Sequence, residues 1–130
     1  MSHFSTIKTR LRKKEQLIKA LVQLGYVPEK GENNVRGYRG QTVQAELAVK
    51  MPKGGDIGFK WNKNIKAYEL VTDLDLWKES VPVDRFLSKL TQQYALSTVL
   101  AATSEEGFEV SERKNNIDGS IELVVTRWDP

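Results

Sequence analysis

Alternating apolar and polar positions mark most of the strands in this chain. From His3 to Thr9 a run rich in hydroxyls and β-formers reads as a short strand, with Phe4 and Ile7 on opposite faces. Val43, Ala45, Leu47 and Val49 alternate with polar residues, Ala48 excepted, and predict a half-buried strand. Ile57, Phe59 and Trp61 predict another, returning through Tyr68, Leu70 and Val71 after a hairpin at Asn62 to Asn64. A final hairpin pairs Phe108 to Arg113 with Ser120 to Arg127 across the Asn115 to Gly119 turn.

Two stretches follow a helical rhythm instead. Leu17, Ile18, Leu21, Val22 and Leu24 recur at helical spacing, opposed by Lys13, Gln16, Lys19 and Gln23, which predicts a helix from about Lys13 to Leu24. Gly25 is placed to cap it, and Pro28 forbids its continuation. A second helical region starts at Pro82, with Phe86, Leu87, Leu90, Tyr94 and Ala95 as its inner stripe. Leu96 to Glu106 is expected to continue that helix, whole or broken, to Gly107, with a strand as the alternative. Pro28 to Gln41 carries Gly31, Asn33, Asn34, Gly37 and Gly40 and reads as a loop, and Pro52 to Gly55 as a turn. A helix-ending glycine followed by an aromatic occurs at Gly25-Tyr26 and again at Gly107-Phe108; ordinary helix-to-strand junctions explain it without a duplication.

Composition narrows the classes. The 130 residues fit one domain, and 39% hydrophobic residues in regular patterns exclude a wholly disordered chain. Without cysteine there can be no disulfide, thiolate metal site or cysteine nucleophile. The N-terminus lacks the apolar block of a signal peptide, and no apolar run is long enough to span a bilayer. A soluble chain, or one touching a membrane only peripherally, is expected. Net charge is only +3, from 20 Lys and Arg against 17 Asp and Glu, so distribution matters more than the sum.

That distribution breaks a local rule. Lys8, Arg10, Arg12, Lys13 and Lys14 crowd the start of the first helix, whose partial positive charge favours acids. Only Glu15 offsets them. They read either as a solvated face or as an end that binds an anion: phosphate, an acidic protein surface or anionic headgroups. Arg36, Tyr38 and Arg39, interleaved with Gly37 and Gly40, have a composition able to stack bases and reach phosphates, though the glycines suit a tight loop equally. Trp77, in Leu74-Asp75-Leu76-Trp77, is a candidate for an exposed binding patch, as is Trp128, whereas Trp61 reads as core.

Catalytic signatures are missing. His3 is the sole histidine, and no G-x-S-x-G, P-loop or G-x-G-x-x-G motif occurs. Asp56, Glu69, Asp73 and Asp75 would make a carboxylate site only if they converged. Asp56 suits the Gly54-Gly55 turn better, and Asp73 and Asp75 suit capping or solvating the segment before Trp77. No cofactor and no metal are expected.

Several segments, in order and spacing, resemble one family across nearly the whole chain. They are Ser2-His3-Phe4-Ser5-Thr6-Ile7-Lys8-Thr9, Arg36-Gly37-Tyr38-Arg39-Gly40-Gln41, Asp56-Ile57-Gly58-Phe59, Tyr68-Glu69-Leu70-Val71, Gln93-Tyr94-Ala95 and Asp118-Gly119-Ser120-Ile121. The family is the hypothetical chloroplast reading frame thirty-five family of cyanobacteria and algal plastids. The resemblance implies a cyanobacterial cytosol or a plastid stroma, and it transfers no catalytic residue.

The expectation is therefore a single α+β domain, an antiparallel sheet with two helical segments packed on one face. Its leading function is that of a non-enzymatic accessory factor that binds a protein partner with an acidic surface. Support of photosynthetic assembly or regulation is what the resemblance adds. The alternative is a nucleic-acid-binding or anion-binding module, which needs Lys8 to Lys14 and Arg36 to Arg39 on one face.

Overall fold

The α+β architecture is built around a five-stranded antiparallel sheet in the order β1-β5-β4-β3-β2. A computed structural model describes residues 4–51, 55–105 and 108–127. Two compact units emerge, Met1–Tyr94 and Ala95–Pro130.

In the first unit, β1 (Phe4–Lys8) leads to α1 (Lys14–Gln23), then β2 (Glu29–Arg36), β3 (Thr42–Lys50), β4 (Asp56–Asn62) and β5 (Ala67–Asp73). β1 lies beside β5, with Ile7 opposite Leu70 and Lys8 opposite Glu69. β4 pairs β5 so that Phe59 faces Leu70 and Trp61 faces Tyr68. One face of this sheet carries the core: Leu47, Val49, Ile57, Phe59 and Leu70 pack with Leu17, Ala20 and Leu21 of α1. Phe86 and Leu90, in the part of α2 (Val83–Glu105) that belongs to this unit, join the same cluster, so α1 and that part of α2 cover one face as expected. Their apolar residues sit at helical spacing, and burial at about 25 cal/mol per Å2 makes this stripe the main stabilising contact.

α1 ends as its sequence demands. Gly25 takes φ 93°, its amide reaches the Val22 carbonyl, and Tyr26 N–H reaches Leu21, closing the last turn. Tyr26 then meets Phe86 edge-on at 5.4 Å.

The outer face of the sheet is only half open. Glu29–Arg36 is a strand, which corrects the loop reading of that stretch. Its glycines and asparagines carry poor strand propensity, but pairing with β3 overrides it. The pairing shifts register between Lys30 and Asn33, and beyond that irregularity the β2–β3 arm curls over the outer face. Val35 and Ala45 come to rest on Gly58, where a Cβ would stand 2.5 Å from Val35 Cγ2. Gly37 likewise meets the Phe4 ring, with Cζ 2.5 Å from where its Cβ would be. Both glycines let the arm approach this closely.

In the second unit, β6 (Phe108–Asn115) and β7 (Ile121–Arg127) form the expected hairpin. Asp118 accepts from the amide and hydroxyl of Ser120 in its turn, which holds that carboxyl below the usual range. Among the described residues no helix is long and apolar enough to cross a membrane.

Candidate functional site

Beyond Lys8 the chain turns past the start of β5 before entering α1. Thr9 Oγ1 donates to the Tyr68 carbonyl at 2.6 Å, and Tyr68 N–H donates to the Leu11 carbonyl at 2.8 Å, with Leu11 fully buried. Anchored by these bonds, the connection exposes Arg10, Arg12 and Lys13, and α1 then exposes Lys14. Lys13 takes an extended N-cap conformation and makes no side-chain cap. The Tyr94 hydroxyl of α2 instead accepts from the amides of Arg12 at 3.2 Å and Lys13 at 2.9 Å.

The same end of the sheet holds the β4–β5 turn, which contributes Lys63 and Lys66, both exposed. Lys66 sits at φ 53°, a conformation disfavoured for residues with a Cβ. On the outer face Lys8 and Lys60 are the cross-strand neighbours of Glu69 on either side. The Glu69 carboxylate accepts from Asn62 Nδ2 at 2.7 Å. Eight exposed cations thus gather at one end of the sheet: Lys8, Arg10, Arg12, Lys13, Lys14, Lys60, Lys63 and Lys66. Among the described residues none of them makes an ion pair. Sequence reading missed the three lysines at 60, 63 and 66, because only strand pairing brings them beside the first helix.

A half-open cleft of about 440 Å3 lies on the outer face next to this end. Phe4, Thr6, Val71 and, from the curled arm, Val43 line it. Lys60, Asn62, Lys63 and Glu69 supply its polar lining. Trp61 also borders the cleft and meets Tyr68 edge-on at 5.1 Å.

The other singled-out residues lie elsewhere. Arg36 is at the Phe4 end of the outer face, four strand positions from the Lys8 row, or about 13 Å. Its amide, Nε and Nη2 all donate to Asp56, at 3.0, 2.9 and 3.2 Å. Asp56 is only 3% exposed, while the Arg36 side chain stays 66% exposed. Burial pushes the Asp56 carboxyl up, but the Arg36 bonds and charge outweigh it and hold it below the usual carboxylate range. Asp56 thus anchors the curled arm; the Gly54 end of the turn it was expected to serve lies outside the described residues. Arg39 is exposed in the 3-10 turn Tyr38–Gly40 at φ 54°, and the Tyr38 side chain lies outside the described residues.

Trp77 is half-buried against the core, edge-on to Phe86 at 5.7 Å, and its indole N–H donates to the Val81 carbonyl at 2.8 Å. Trp128 lies outside the described residues. Asp73, fully buried, caps the 3-10 turn Leu74–Leu76 by accepting from the Asp75 amide. Of the carboxylates named from the sequence, Glu69 lines the cleft, whereas Asp56 and Asp73 are buried at the Phe4 end of the sheet. Among the described residues no group of three or more His, Asp or Glu is arranged to hold a metal.

Comparison with known proteins adds a family. A family model described as "Protein of unknown function (DUF1257)" matches residues 20–124. The chain is 38% identical over 128 residues to the uncharacterized protein ycf35 of Cyanophora paradoxa, covering 98% of each. The ycf35 protein of Guillardia theta is 37% identical over 130 residues, covering 100% of each chain. That of Pyropia yezoensis is 34% identical over 129 residues, covering 99% of each. No solved structure matches the chain.

Proposed function

The chain belongs to the ycf35 family, as its sequence resemblance indicated, and we propose that it is a non-enzymatic factor that binds an acidic protein partner. One observation carries this reading: eight exposed cations at one end of the sheet, drawn from two separate stretches of chain, with no ion pair among the described residues. Like charges that approach without counterions repel one another, and an acidic surface relieves that repulsion. The partner belongs to a plastid stroma or a cyanobacterial cytosol, and the factor supports assembly or regulation of the photosynthetic apparatus.

Affinity capture from a cyanobacterial lysate tests the reading. The native chain is expected to retain a reproducible acidic protein at low salt and to lose it at high salt. A variant with Arg10, Arg12, Lys13 and Lys14 replaced by glutamine is expected to retain none. Capture that ignores both salt and substitution overturns the reading.

Nucleic-acid binding draws on the same cationic end, but it loses Arg36, whose guanidinium is engaged by Asp56. Gel shift with generic single-stranded RNA decides between the two, since phosphate-driven binding gives a steep salt dependence on any sequence.

A further inference from the structure

The cleft beside the cationic end has a mixed lining that a simple anion site would not need. We propose that it receives a short acidic peptide segment of the partner, one apolar side chain seated against Val43 and Phe4 and flanking carboxylates on Lys60 and Lys63. The proposal rests on the acidic-partner reading and says how that partner is gripped.

The volume, about 440 Å3, is in the range of clefts that take ligands in a defined pose. The two lysines supply positive charge at its polar side, and Lys8 stands in the same cross-strand row. Glu69 lies between Lys8 and Lys60, with one carboxylate oxygen taken by Asn62 Nδ2. An inorganic anion would gain from the lysines and lose to Glu69. A nucleic-acid strand would repeat that conflict at every phosphate. A peptide carries both kinds of group: carboxylates for the lysines and backbone N–H for Glu69. The half-buried Val43 and Phe4, with the buried Val71 beneath them, then give an apolar side chain a place to leave water, which neither an anion nor a phosphate backbone can use.

The experiment uses the full chain and synthetic octapeptides of Asp and Glu with a central Phe or a central Ala, and follows backbone amide resonances. The Phe-centred peptide is expected to bind about tenfold or more tightly than the Ala-centred one and to shift the resonances of Thr6, Val43, Trp61 and Asn62. Thr6→Arg adds a cation while filling the cleft, so it separates the two ideas. If the cleft is the site, Thr6→Arg weakens the Phe-centred peptide despite the added charge, and Val43→Arg does the same. Native-like amide spectra of the two variants show that both are folded.

Equal affinity for the two peptides, or tighter binding by Thr6→Arg, overturns the cleft while leaving the cationic end intact as a docking surface. Absence of peptide binding overturns it too, and partner capture then reports separately on the broader reading. Stronger displacement of the same resonances by single-stranded RNA than by peptide reassigns the cleft to nucleic acid.

Discussion

Asp56 shows how one side chain sets the shape of the outer face. Buried and triply hydrogen-bonded by Arg36, it pins the curled arm against the sheet. Its carboxyl is held below its unfolded value, so its contribution is complete above the unfolded pKa of about 3.9 and is lost as pH falls through the lower folded value. Asp56→Asn is expected to destabilise the protein by about 1–3 kcal/mol at neutral pH and to flatten the decline below about pH 4. Urea unfolding from pH 2 to 7 checks both, and an unchanged acid limb would count against the anchor. Gly58 and Gly37 give a second comparison at this scale. Gly58→Ala meets a buried valine and an alanine, and is expected to cost about 1–3 kcal/mol. Gly37→Ala meets only the far end of a phenylalanine ring, which can swing, and should cost less. Adding Val35→Ala is expected to recover part of the Gly58→Ala loss, and a double-mutant cycle measures the coupling.

The elements divide according to how local their cause is. Helix α1, its Gly25 cap, strands β3 to β5 and the last hairpin were legible, because periodicity and turn residues act over a few positions. Strand β2 was not: Gly31, Asn33 and Asn34 look like a loop, and only hydrogen bonding to β3 makes them a strand. The start of α1 shows a conflict visible from both sides. Lys13 occupies the N-cap without capping, and Tyr94 from α2 fills part of that role. Lys13→Asp is expected to add about 1 kcal/mol of stability through a proper cap while weakening partner capture. Thermal unfolding and capture together test this, and a variant that gains stability with capture unchanged would mark the cations as solvated surface only. Tyr94→Phe is expected to cost about 1 kcal/mol by removing the acceptor for two amides, read from urea midpoints.

At the scale of the molecule, the sheet does what the linear chain cannot display. The basic start of α1 is visible in sequence, yet Lys60, Lys63 and Lys66 join it only because β1 lies beside β5 and β5 beside β4. The same topology takes Arg36 away, about 13 Å down the outer face and into the grip of Asp56. No residue pattern announces that exchange, since it depends on the arm curling over Gly58. The most direct measurement is the affinity of the captured partner for a Lys60→Gln, Lys63→Gln, Lys66→Gln triple variant across ionic strength. If the eight cations are one surface, this variant binds about as weakly as one neutralised at Arg10, Arg12 and Lys13, with the same reduced dependence on salt. Affinity and salt dependence equal to those of the native chain would contradict the account.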